Sequence, residues 1–321
     1  MKILITGSAG FIGFSFSRYL AKKYKRYEII CIDNINSFYS KKYKLKRITE
    51  LKKYKNINFK KIDITSYGSL NKLFLKNKID VIFNFAAQAG VRYSLTNPEK
   101  FINSNINGFF NILELSRKFG VKRLFYASSS SVYGDIKKFP TFESNNLKPI
   151  NVYSLSKEFN ENLSKIYFDL YGIQSIGLRF FTVYGEWGRP DMFLFKLFKS
   201  SLTNSKFELN NNGNHYRDFT YIEDINQILD KLLNKSTKPK NDIINICGGK
   251  SINIKDLVDL FKKENKLDIV YKTKHKADLL KTHGSNKKII QKIGKFNFTK
   301  IENVLIKIFN WYKKNKIHLI T

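Results

Sequence analysis

Short, nearly continuous apolar runs alternate along this chain with longer segments whose apolar residues recur every three or four positions. The first kind reads as strands buried on both faces, the second as helices that cover them. Strands are predicted over residues 2–6, 28–33, 58–61, 81–85, 123–128 and 175–180, and helices over 14–23, 67–76, 101–119 and 153–171. This alternation predicts an α/β fold built on a doubly wound parallel sheet. Beyond Phe181 the alternation breaks. Residues 210–214 form a turn cluster, 242–247 make one more strand closed by Gly248 and Gly249, and 304–312 form the last amphipathic stretch. The expected division is a first unit over 1–178, with a return segment near 215–248, and a smaller unit interleaved with it over 179–214 and 249–321. No internal repeat or low-complexity linker interrupts the pattern.

Composition adjusts this picture in three places. The 321 residues suffice for a sizeable core, and the hydrophobic fraction of 42% is ordinary for a globular chain. No apolar run reaches the length of a membrane span, and the first apolar run leads straight into a glycine loop, as a core strand and not a signal peptide would. Cys31 and Cys247, both in or beside predicted strands, read as buried free thiols of a reducing compartment, which points to the cytoplasm. The net charge of +32 suggests nucleic acid at first sight. Yet lysine is spread through nearly every segment instead of gathering on one motif, so no nucleic-acid partner is expected. The densest part, residues 41–61, reads as a solvated helix face. A general positive field still favours anionic small molecules.

Two constellations carry candidate chemistry. Gly7-Ser8-Ala9-Gly10-Phe11-Ile12-Gly13 joins the first strand to the first helix, and its spacing suits a Rossmann-type dinucleotide loop. Asp33 closes the second strand 20 residues after Gly13, where a carboxylate bonds a ribose diol and repels a 2′-phosphate, favouring NAD over NADP. Asp63 closes the third strand and is a further candidate for the adenosine end. The second constellation is Ser129, in the run Ser128-Ser129-Ser130-Ser131 at a strand's carboxyl end, with Tyr153 and Lys157 24 and 28 residues later. Tyr153 and Lys157 stand four apart on one helix face, where an ammonium can lower the phenol's pKa and make it a base. Arg217 precedes a predicted helix as a candidate anion clamp. His215, His275 and His283 lack ligand spacing, and no metal is assigned.

With these residues in view, the chain resembles the extended short-chain dehydrogenase/reductases, specifically the nucleotide-sugar epimerases, and among them the bacterial UDP-glucuronate 4-epimerases of capsular polysaccharide biosynthesis. The stretches that carry the resemblance are 86–94, 126–134, 178–192 and 217–224. It implies a prosthetic NAD, a homodimer, Tyr153 as base, Lys157 as its tuner and a ribose ligand, and Ser129 as partner of the reacting hydroxyl. It further implies substrate contacts from Ser130, Ser131, Thr182, Arg189, Arg217 and Asp278, so that the first unit binds the dinucleotide and the second the nucleotide sugar. Arg189 matches an arginine characteristic of the glucuronate-acting group. Ser130 and Ser131 stand where dehydratases carry Asp and Glu, which argues against 4,6-dehydration. The family's Pro-Gly-Asp is Lys276-Ala277-Asp278 here, Ser285 replaces a nearby aspartate, Asn84 a common histidine, and Glu186 a common proline. The alternatives are a 4-epimerase of neutral UDP-hexoses, a UDP-glucuronate decarboxylase, and a non-catalytic cofactor sensor.

Overall fold

Seven strands, β1 (Lys2–Thr6), β2 (Glu28–Asp33), β3 (Ile57–Lys61), β4 (Val81–Asn84), β5 (Arg123–Ser129), β6 (Gln174–Phe180) and, after a long excursion, β10 (Asn241–Ile246), pair in the order β10-β6-β5-β4-β1-β2-β3. Every pairing is parallel. The coordinates are a computed structural model that describes residues 1–121, 123–235, 240–275 and 278–319. Strand order reverses between β1 and β4, and in open α/β sheets ligands bind beyond the carboxyl ends of the strands at that point.

The predicted helices cover both faces. Helix α1 (Phe11–Lys23) buries Phe14, Phe16 and Leu20 in the larger core cluster, beside Ile3, Ile5 and Phe83 of the sheet. On the opposite face α3 (Tyr67–Leu75) and α6 (Gly108–Lys118) bury Leu70, Phe74, Ile112 and Leu113 against Leu4, Ile82 and Leu124. The predicted helix over 101–119 is not one α-helix. The short helices α4 (Val91–Ser94) and α5 (Pro98–Phe101) come first, and a π-helical turn over Ile102–Asn107 then leads into α6. Helix α7 (Val152–Tyr171) is set at both ends. Asn151 and Ser154 form a reciprocal capping box, and Gly172 closes the helix at φ 67° in the left-handed region.

Helix α2 (Lys41–Lys52) corrects the expectation of a solvated basic face. Tyr43, Lys44, Arg47, Ile48 and Leu51 turn inward, and Arg47 is fully buried. Lysine-rich composition hid an amphipathic stripe that included two of the basic residues themselves.

After β6 the chain builds two small sheets: β11-β9-β7 from β7 (Thr182–Tyr184), β9 (Tyr216–Tyr221) and β11 (Ser251–Asn253), and β12-β8 from β8 (Phe207–Asn210) and β12 (Ile269–Lys272). Helices α8 (Phe193–Thr203), α9 (Ile222–Asn234), α10 (Ile254–Lys262), α11 (Lys287–Ile293) and α12 (Ile301–Lys314) pack around them. Tyr19, Lys23 and Tyr24 of α1 all reach Asp230 of α9, so the return segment is tied to the first helix.

Candidate active site

The glycines of the segment that joins β1 to α1 have no room for a side chain. Gly7 stands at φ 66°, and a Cβ on it would lie 2.6 Å from the Ala86 backbone nitrogen. A Cβ on Gly13 would lie 2.3 Å from the Gly7 carbonyl oxygen, so the helix packs directly on the loop. The first turn of α1 has neither an acidic residue nor a side-chain cap, which leaves its N–H groups for an anion. The loop opens into one cavity of about 440 Å³ that runs across the carboxyl end of the sheet.

Gly7, Gly10, Phe11, Ile12, Gly13, Asp33 and Asp63 line one part of this cavity. Asp33 is nearly buried and accepts hydrogen bonds from the Ala9 N–H at 3.0 Å and the Ile35 N–H at 2.7 Å, one on each oxygen. It therefore stays aimed at the loop with lone pairs to spare. Asp63 accepts from the Asn34 amide at 2.8 Å and from Thr65, and these bonds hold its carboxyl below the usual range against the opposing effect of burial. A crowded glycine cradle, an uncapped helix N-terminus and a carboxylate at the end of the second strand fit a dinucleotide with a free ribose diol.

Ser129, Ser130, Ser131, Tyr153 and Lys157 line the same cavity. Strand β5 delivers the serines and α7 delivers the other two, and a buried network ties these elements together. Glu161, one turn beyond Lys157, accepts the Ser128 hydroxyl at 2.5 Å and a forked pair from Arg179 of β6 at 2.9 and 2.7 Å. Arg179 also donates to the Tyr133 hydroxyl at 2.8 Å, and Tyr133 to Asn245 at 2.7 Å. Lys157 donates from Nζ to the Ala127 carbonyl at 2.8 Å, and burial pushes its ammonium down to about 8 while Glu161 opposes the shift. The Tyr153 phenol does not follow the simple expectation of a lowered pKa. Burial raises it, and the lowering influences are the neighbouring Ser129 hydroxyl and the charge of Arg189. The Lys157 ammonium lies 6.0 Å from the Tyr153 ring centroid.

Thr182, Arg189, Arg217 and Asp278 also line the cavity, so the residues assigned to catalysis, cofactor and substrate meet there. Two of them have protein partners. Arg189 makes a forked ion pair with Asp191 at 3.0 and 2.6 Å while remaining close enough to influence Tyr153. Asp278 receives the Arg92 fork at 3.1 and 2.6 Å. Arg217 is partly buried and holds the Tyr216 and Leu280 carbonyls, and burial lowers its pKa. Lys276 and Ala277 lie outside the described residues. Of the other departures, Asn84 accepts the Thr6 hydroxyl at 2.5 Å, Glu186 accepts the Tyr221 hydroxyl, and Ser285 is buried.

Sequence reasoning missed Asn36, Tyr39 and Lys44, which also line the cavity. For Lys44 the inward stripe of α2 was the available signal. It also gave no role to the segment after β4, where Gln88 and Ala89 form part of the wall and Asn105 of the π-turn holds Gln88 at both its N–H and its carbonyl.

Three comparisons bear on this geometry. The profile of the family described as "NAD dependent epimerase/dehydratase family" matches residues 3–247. The UDP-glucuronate 4-epimerase of Thermodesulfobacterium geofontis is 38% identical over 319 residues, covering 97% of this chain and 96% of that one. Protein CapI of Staphylococcus aureus is 45% identical over 243 residues, 75% of this chain and 72% of its own. Among solved structures, the UDP-glucuronic acid 4-epimerase of Bacillus cereus in complex with UDP-glucuronic acid and NAD superposes with a TM-score of 0.92 at 27% identity, covering 98% of this chain and 100% of that one.

Proposed function

The chain belongs to the NAD dependent epimerase/dehydratase family, and from that premise we propose that it interconverts UDP-glucuronate and UDP-galacturonate by epimerisation at carbon 4. The observation that carries this reading is a guanidinium in the wall of the catalytic cavity. Arg189, Thr182, Ser130 and Ser131 line the space that also holds Ser129, Tyr153 and Lys157, so a sugar whose 4-hydroxyl meets Tyr153 finds donors for a carboxylate nearby.

When bound, NAD supplies a reversible hydride acceptor for carbon 4, so the sugar passes through a 4-keto state. The protein's part is placement and proton handling. Ser129 and Tyr153, which face the same cavity, receive the 4-hydroxyl, and Tyr153 takes its proton as the carbon is oxidised and gives it back on reduction. Lys157, fixed on the Ala127 carbonyl, keeps a positive charge beside the phenol. Gly7, Gly10, Phe11, Ile12, Gly13, Asp33 and Asp63 are assigned to the cofactor, and Arg217 and Asp278 to the uridine diphosphate. The keto sugar acid is a β-keto acid and loses carbon dioxide readily. Arg189 and the hydroxyls oppose that loss by keeping the carboxylate charged and hydrogen-bonded.

The Arg189–Asp191 pair favours a second reading. A guanidinium already neutralised by a carboxylate has less to offer a sugar acid, and a neutral UDP-hexose would then be the substrate. Incubation with NAD and either UDP-glucuronate or UDP-glucose, products resolved by NMR, separates the two. A higher kcat/KM for UDP-glucose overturns the acid reading.

A homodimer is part of the proposal. Leu155, Phe159, Ile166 and Leu170 form an exposed apolar stripe along α7, and Ile102 and Phe110 stand exposed on the helical segment before it. Pairing these faces between two copies would make a four-helix bundle. A cytoplasmic place in polysaccharide biosynthesis completes the reading. It agrees with two buried free cysteines and with the absence, among the described residues, of a helix long and apolar enough to cross a membrane.

A further inference from the structure

Arg47 is fully buried on α2, yet among the described residues its hydrogen-bond partners are all neutral oxygens. Nη1 donates to the Ala9 carbonyl at 2.8 Å and to the Tyr39 hydroxyl at 2.6 Å. Nη2 donates to the Trp187 carbonyl and, at 3.4 Å, to the Gly188 carbonyl. Its Nε finds no partner. Burying a charge without an opposite charge is unfavourable, so an apolar residue would serve packing better at this position.

What the guanidinium joins gives the reason. Ala9 belongs to the glycine loop, and Trp187 and Gly188 lie immediately before Arg189. Trp187 stands at φ 61°, a left-handed conformation that bulky residues rarely adopt and that must be held from outside. The holding groups are visible. The Tyr43 hydroxyl donates to the Gly188 carbonyl at 3.0 Å, and the Trp187 ring lies against Phe14, Tyr43 and Trp311. The Arg47 guanidinium itself sits 4.4 Å from the Tyr43 ring centroid. A single planar fork thus spans the loop that faces the cofactor and the strained turn that aims Arg189.

We propose that Arg47 is a positioning residue that fixes Arg189 relative to the dinucleotide loop and so sets the preference for an acid sugar without touching it. This rests on the reading of Arg189 as the group that holds the substrate carboxylate. A lysine cannot replace it, because one ammonium cannot reach carbonyls on both sides.

The test is the ratio of kcat/KM for UDP-glucuronate to that for UDP-glucose at saturating NAD. The wild-type ratio comes first. If it does not favour the acid, the substrate reading fails and this inference falls with it. If it does, Arg47→Met should lower the ratio ~10-fold or more, the scale of a lost hydrogen bond to a charged group, mainly through KM for the acid. Arg47→Lys should not restore it. Added to Arg189→Ala, Arg47→Met should lower the ratio no further, since both act through one group. Equal losses on both sugars, or a further fall in the double variant, overturn the inference while leaving the substrate reading intact. Should Arg47→Met fail to fold, Arg47→Lys alone is read: it keeps the charge but cannot reach carbonyls on both sides, and an unchanged ratio in that variant overturns the proposal.

Discussion

At the residue scale the two groups proposed to handle the proton titrate in inverted order. Burial pushes Lys157 from 10.5 down to about 8 and raises Tyr153 above its ordinary value of 10.0. The competent form needs the ammonium protonated and the phenol ionised. Its population grows with pH while Lys157 holds its proton and becomes constant once Lys157 begins to lose it. We expect kcat/KM, which reports the free enzyme, to climb to about pH 8 and then level off. In Lys157→Met that break should vanish and the climb continue until the phenol itself titrates. The sign for stability is separate. Between about 8 and 10.5 the unfolded chain holds a proton on Lys157 that the folded chain does not, so this group makes stability rise with pH across that window. An alkaline loss of activity would therefore not be unfolding through this site. Tyr153→Phe should keep the ring and NAD binding while turnover falls ~10²-fold or more; near-normal turnover would assign the proton to another group. Asp33→Ala should weaken NAD and narrow its advantage over NADP, read by titration with each. These residues were legible because their spacing relative to strand ends is dictated by the fold. The partner of Asp278 was not, since Arg92 lies 186 residues from it.

At the element scale α7 carries the proposed base and tuner, and Glu161 locks it to β5 and β6. Both partners of the Glu161–Arg179 pair are almost wholly buried. Removing one strands the other as an uncompensated charge, so Glu161→Ala should lower unfolding free energy by ~3–5 kcal/mol, measured by urea denaturation. Glu161→Gln, which keeps an acceptor for Ser128, should lose less. The six strands before Phe181 and the helices α1, α3, α6 and α7 that cover them were readable because both faces of a parallel sheet demand apolar runs. The small strands at Thr182–Tyr184, Ser251–Asn253 and Ile269–Lys272 were not, being only three or four residues long. The inward face of α2 escaped notice for a different reason. A buried arginine satisfied by carbonyls has the same sequence signature as one in solvent.

At the scale of the whole molecule one cavity receives residues from the first glycine loop at Gly7 to Thr282, so the parts that meet there span most of the chain. The chain's net charge of +32 gives anionic nucleotides a favourable approach, an effect that should fade as ionic strength rises.

The pairing of β10 with β6 has a consequence for how the protein is made. Strand β6 is complete at Phe180, but its partner on that side is Asn241–Ile246. A nascent chain emerging from the ribosome thus presents an unpaired strand edge throughout synthesis of residues 181–240, with the N–H and carbonyl groups that invite another chain to pair. A fragment stopped at Lys235 should accordingly collect in the insoluble fraction on expression, whereas a soluble, monodisperse fragment would show that the edge is protected by other means. The amino-terminal part, which alone looks like a finished nucleotide-binding unit, is in this sense a folding debtor to a strand encoded far downstream, and a premature stop before residue 241 would leave no partial enzyme behind.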